Sequence, residues 1–142
     1  MPTMRPIGTI TGVPVHVATG LHIDMTECRA VTFQSYVATG DNTLTIKEST
    51  GAGTSEQNLV VIDRVETFPG TGGTVTEVTQ TAAATFTNAD ATNDAFSVTV
   101  FADQLSAGFT HLEGTVDAGT LVAFQHGLAN GRGAASMATP IG

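Results

Sequence analysis

Apolar and polar residues alternate along most of this chain, and the alternation breaks at short clusters of Gly, Asn, Asp and Pro. A period of two predicts strands that bury one face, and the clusters predict the turns between them. Val13, Val15 and Val17 alternate with Pro14 and His16, which predicts a strand. Pro14 has no amide to donate and confines that strand to a sheet edge. Ala30 to Val37 predicts a strand with Val31, Phe33 and Val37 on one face, and Thr43 to Glu48 predicts another carrying Leu44 and Ile46. The segment Val17-Ala18-Thr19-Gly20 recurs as Val37-Ala38-Thr39-Gly40, each copy between alternating runs. Two hairpins in series are therefore expected, turning at Gly20 and at Gly40-Asp41-Asn42.

Further along, Ser49 to Ser55 predicts a polar loop. Asn58 to Val65 fits either a strand or a short helix capped by Ser55, and periodicity does not separate the two. Pro69-Gly70-Thr71-Gly72-Gly73 predicts a turn, and Thr74 to Thr79 and Ala82 to Phe86 predict strands. The clearest strand is Ala95 to Phe101, with Phe96, Val98 and Val100 on one face. Asp103 to Ala107 predicts one helical turn capped by Asp103. Phe109 to Val116 and Leu121 to Leu128 flank Asp117-Ala118-Gly119. A hairpin pairing Val116 with Thr120 gathers Leu112, Val116, Val122, Phe124 and Leu128 on one face. The sum is about nine or ten short strands with turn signals roughly every 8–12 residues, the pattern of a β-sandwich or jelly roll. The expected organisation is an all-β chain with one sandwich or jelly-roll-like domain over 13–128. An extended N-terminal arm over 1–12, carrying Pro2 and Pro6, precedes it, and a flexible Gly- and Ala-rich C-terminal tail over 129–142 follows.

Composition narrows the function more than the fold. The length of 142 residues suits one domain, and 41% apolar with 13% charged residues excludes a disordered chain. The chain holds 25 threonines and 16 glycines, which favours strands and turns over helices. The net charge is −8, and the only cations are Arg5, Arg29, Lys47, Arg64 and Arg132, scattered along the chain. Such a chain is not expected to bind nucleic acid or an anionic membrane surface, because both need clustered cations. Apolar runs are too short to span a bilayer as a helix, and residues 1–10 lack the charged-then-apolar pattern of a signal peptide. Cys28 is the lone cysteine and fits folding in a reducing cytoplasm.

Candidate chemistry is sparse. His16, His22, His111 and His126 show no short metal-ligand spacing, and in the expected hairpin register His111 and His126 point to opposite faces. No metal site and no cofactor is expected from them. Asn88, Asp90, Thr92 and Asp94 offer oxygen atoms at alternate positions. An EF-hand would need Gly and Glu where Asn93 and Thr99 stand, so an Asx-turn loop is the expectation. Asp24 and Glu27 near Cys28 raise its pKa and make it an inert thiol. None of Ser35, Ser49, Ser55, Ser97, Ser106 and Ser136 lies in G-x-S-x-G. Tyr36 is the only Tyr and there is no Trp, which weakens a sugar-binding platform. The chain is not expected to be an enzyme.

Three stretches carry a family resemblance. They are Ala30-Val31-Thr32-Phe33 with Thr39 to Glu48, then Ala91 to Val100, then Asp103-Gln104-Leu105-Ser106-Ala107-Gly108-Phe109-Thr110-His111-Leu112. Together they resemble the small β-sandwich head decoration (cement) proteins of tailed bacteriophages, especially those of actinobacteria. The resemblance implies a structural protein that folds in the host cytoplasm and then binds the outside of the assembled head. Its implied partners are the major capsid protein and further copies of itself, as a trimer. The arm would supply the capsid contacts, with Pro2, Thr3, Met4, Arg5, Pro6 and Ile7 as candidates. Two other readings stay open: another phage structural role in the tail or at the head–tail junction, and a glycan- or receptor-binding module.

Overall fold

Val, Ile, Phe and Thr at alternate positions suit a pleated, half-buried surface, and they build eleven strands in the computed structural model, which describes residues 15–16, 21–68, 73–89 and 94–127. In chain order these are β1 (Val15–His16), β2 (Ile23–Asp24), β3 (Ala30–Val37), β4 (Asn42–Ser49), β5 (Gln57–Asn58) and β6 (Ile62–Phe68). They continue with β7 (Thr76–Ala83), β8 (Thr85–Asn88), β9 (Asp94–Phe101), β10 (His111–Val116) and β11 (Thr120–His126). All pairing is antiparallel, and the strands form two sheets. The first runs β1-β11-β3-β9-β6-β7. The second runs β2-β10-β4, and the far edge of β4 is shared by β8, along residues 42–45, and β5, along residues 47–48.

Setting aside β5 to β7, the two sheets are β1-β11-β3-β9 and β2-β10-β4-β8. This is the strand order of an eight-stranded jelly roll, with β5 to β7 inserted between its fourth and fifth strands. The insertion adds β5 to one sheet and the β6–β7 pair to the edge of the other. The chain returns between sheets by running β7 straight into β8 through a break at Ala84. The Gln80 side-chain amide donates to the carbonyls of Ile62 and Thr85, both at 2.9 Å, and holds that break.

This order corrects the expected hairpins. β3 and β4 lie in opposite sheets, as do β10 and β11 and also β1 and β2. The β3–β4 and β10–β11 connections are arches across the sandwich. The reason is that each strand has one apolar face, and an arch presses two such faces together. A hairpin would set them side by side in one layer. Gly40 supplies a positive φ of 85° at the first arch, whereas Asn42 is no turn residue: it begins β4 and is fully buried. At the second arch Gly119 has φ 74°, and a Cβ there would collide with the Tyr36 carbonyl. Asp117 fixes this arch to β4, accepting the Thr43 N–H at 2.7 Å and donating its own N–H to the Thr43 carbonyl at 3.2 Å. The inward face of β11 is consequently Leu121 and Ala123, not Val122 and Phe124. Leu128 lies outside the described residues, as does Gly20.

Two smaller expectations also resolve. Residues 58–65 contain no helix: β5 ends at Asn58, 59–61 link the two sheets, and β6 begins at Ile62, while Ser55 is a turn residue at φ 54°. The helical turn is a single 3-10 turn, Ala102–Gln104, in which the Gln104 side chain accepts the Phe101 N–H at 2.8 Å and Asp103 is not the cap.

Between the sheets lie Phe33, Leu44, Ile46, Ile62, Phe96, Val98, Leu112 and Leu121, with Phe86 and Phe96 edge to face at 5.1 Å. Each such side chain contributes about 1.5–3 kcal/mol by leaving water. Gly114 on β10 makes room for Phe33 of the opposite sheet: a Cβ there would stand 2.6 Å from the ring. The apolar faces of β3 and β9 are those expected, Val31, Phe33 and Val37 on one and Phe96, Val98 and Val100 on the other.

Candidate functional site

The jelly-roll order places β2 beside β10 at the edge of the smaller sheet, with Leu112 opposite Ile23 and His111 opposite Asp24. One step further along this register, Glu113 comes opposite His22. Leu112 and Gly114 point inward, so Glu113 faces outward. The 50–57 segment then folds back over that face. Its turn is made by Gly53 at φ 83° and Ser55 at φ 54°, and a Cβ on Gly53 would lie 3.5 Å from Cε1 of His22. Glu56 follows directly.

His22 Nε2 thereby stands 2.7 Å from Glu56 Oε1 and 3.1 Å from Glu113 Oε2. The His22 and Glu113 side chains are 11% and 8% exposed, so the centre of the cluster is largely screened from water. Glu56 is the more open member. Its carboxyl titrates below the usual carboxylate range because His22, and then Glu113, hydrogen-bond to it, with a smaller contribution from the Lys47 charge. An imidazole nitrogen carries at most one proton, so Nε2 faces two carboxylate oxygens with one hydrogen to offer. The three ligand atoms lie within 4.8 Å of one another, a donor set of one nitrogen and two oxygens.

No sequence motif singles out Glu56 or Glu113, and His22 carries no more signal than the other histidines. The three are separated by 34 and 57 positions, so no spacing motif announces them. The available signal was Glu113 in mid-strand between inward Leu112 and Gly114, and it acquires meaning only once β2 is known to neighbour β10.

The remaining candidates are dispersed. Pro2, Thr3, Met4, Arg5, Pro6 and Ile7 lie outside the described residues, just upstream of β1, an edge strand of the larger sheet. Of the alternating oxygen ligands, Asp90 and Thr92 lie outside the described residues. Asn88 ends β8 with its side-chain NH2 buried and lacking a partner among the described residues, and Asp94 begins β9. Residues 69–72 of the Gly-rich turn are also outside. His111 and His126 belong to opposite sheets. Cys28 is buried, and its thiol is pushed up to about 11 by burial first, then by Asp24 and Glu27, as an inert thiol requires.

A separate groove of about 590 Å3 opens on the outside of the larger sheet between Arg29, Thr32, Thr99, Phe101, Asp103 and His126. Thr32 Oγ1 lies 2.7 Å from both Thr99 Oγ1 and His126 Nε2, and Phe101 is 51% exposed at its rim. Burial holds His126 below the ordinary imidazole range.

No protein-family profile matches the chain, and no curated protein and no solved structure is significantly similar to it.

Proposed function

We propose that this protein decorates the outside of a tailed-phage head and stabilises the shell. The supporting observation is where the family-like stretches fall. Ala30 to Phe33 lies in β3, Thr39 to Glu48 spans the first arch and β4, Ala95 to Val100 lies in β9, and Asp103 to Leu112 leads into β10. Three of these strands bring Phe33, Leu44, Ile46, Phe96, Val98 and Val100 to the core, and Leu112 completes it from β10. The resemblance therefore covers the packed frame of the molecule. The chain upstream of Val15 leaves from an edge strand, a geometry that suits an arm reaching a neighbouring capsid subunit or another copy of the protein. Many weak contacts per copy, repeated over a lattice, give strong net retention. Partners and location follow from this reading: the major capsid protein, self-association as a trimer, and the virion surface after folding in the host cytoplasm.

The groove at Phe101 and His126 favours one second reading, a glycan- or receptor-binding module, since a concave site with a few polar groups suits a small ligand. Cosedimentation of the purified protein with heads of the encoding phage, stripped of it, decides the matter. The intact chain is expected to bind the heads saturably. A chain lacking residues 1–12 is expected to stay folded and bind more weakly. Failure of the intact chain to bind overturns decoration, and equal binding by the truncated chain overturns the role of the arm.

A further inference from the structure

We propose that His22, Glu56 and Glu113 form a binding site for one divalent cation of the zinc class. The inference is independent of the proposed capsid role and rests on three features of the cluster.

The first is convergence. Nε2 of His22 faces an oxygen of each glutamate, and all three ligand atoms fall within 4.8 Å of one another. Tetrahedral metal–ligand distances of 2.0–2.2 Å place ligand atoms about 3.4 Å apart. The gaps of 2.7 and 3.1 Å at His22 open to that value with a shift of less than an ångström.

The second is charge. Ligation requires both carboxyls deprotonated, so a neutral imidazole and two carboxylates then present two negative charges, which one dication cancels. A proton on Nε2 serves only one of the two oxygens well. Glu113 is almost wholly screened from water, where a negative charge is costly and a dication at the cluster offsets it.

The third is the donor set. Imidazole nitrogen with carboxylate oxygen suits zinc and its neighbours, whereas calcium and magnesium prefer all-oxygen shells. Three protein ligands leave the fourth position for water. The ion would join the 50–57 segment, through Glu56, to the edge formed by β2 and β10, a part of the smaller sheet whose outermost strand is only two residues long.

The test is titration of the chelator-treated, full-length protein with Zn2+, followed by calorimetry and thermal melting, and with Co2+, followed by its visible spectrum. One equivalent is expected to bind and to raise Tm. The Co2+ spectrum is expected to show nitrogen and oxygen ligation without a thiolate charge-transfer band, which separates this site from Cys28. His22→Gln and Glu56→Gln are each expected to weaken binding by at least about tenfold, the loss that even an outer-sphere partner costs. Glu56 is partly exposed, so Glu56→Gln keeps the fold, as far-UV circular dichroism would verify. Absence of saturable binding, unchanged affinity in both variants, a thiolate band, or equally tight binding of Ca2+ each overturns the proposal.

Discussion

At the centre of the sandwich Phe33, Leu44, Phe96 and Val98 are buried, their side chains with no polar atom to satisfy. Where β4 and β10 meet the 50–57 and 102–110 segments, Glu48, Ser49 and Glu113 are buried nearly as deeply. Glu48 is 1% exposed, and its two oxygens accept the Gln57 side-chain amide at 2.6 Å and the Ser106 N–H at 2.8 Å. Ser49 donates its hydroxyl to the Gly51 carbonyl. The centre is held by area removed from water, which is non-directional and forgiving of exact partners. The polar end is held by particular atoms drawn from distant parts of the chain. It is correspondingly intolerant of losing one, because a buried group left unpaired keeps its whole desolvation cost.

The sharpest way to break this contrast is at the centre. Phe96→Ala is expected to cost about 3–5 kcal/mol, since it removes a fully buried ring and its contact with Phe86. Urea unfolding measures it, and a loss below about 1 kcal/mol would mean the site collapses in a way a close-packed interior does not.

A smaller loss is expected at the polar end. Glu48→Ala empties a fully buried site and removes the acceptor of the Ser106 N–H and the Gln57 amide, for about 1–3 kcal/mol. Its signature is local: amide exchange at Ser106 is expected to accelerate more than at Val98. Uniform acceleration across both would erase the distinction between the two regions.

The smallest effect concerns pH. Burial favours the neutral form of His126 in the folded protein. Below its ordinary pKa of about 6.5 the unfolded imidazole protonates first, so stability is present above that pH and falls as the pH is lowered through the folded value. Thermal melts between neutral and mildly acidic pH are expected to show a steeper fall for the native protein than for His126→Gln. Identical slopes would mean that the groove at His126 is not effectively buried.

The strands were legible in the sequence and their partners were not. Ala30 to Val37 matches β3, and Thr43 to Glu48 and Ala95 to Phe101 fall within one residue of β4 and β9 at each end. Alternation states that a strand buries one face, but an arch and a hairpin bury that face equally well. The Val-Ala-Thr-Gly copies and Asp117-Ala118-Gly119 therefore predict hairpin turns from local pattern alone. A jelly roll itself forbids those hairpins, because most of its consecutive strands lie in opposite sheets. The His22, Glu56 and Glu113 cluster inherits the same blindness. It depends on β2 lying beside β10 and on the 50–57 segment folding over both, relations of topology that no local spacing encodes.

The decoration reading is tested most directly by counting. On that reading a tailed phage encodes the chain, and quantitative mass spectrometry of its purified virions would give copies of the chain relative to the major capsid protein. The account predicts hundreds of copies per particle, a stoichiometry comparable to that of the shell itself. A handful of copies would move the protein to the tail or portal, and its absence from the particle would contradict a virion role altogether.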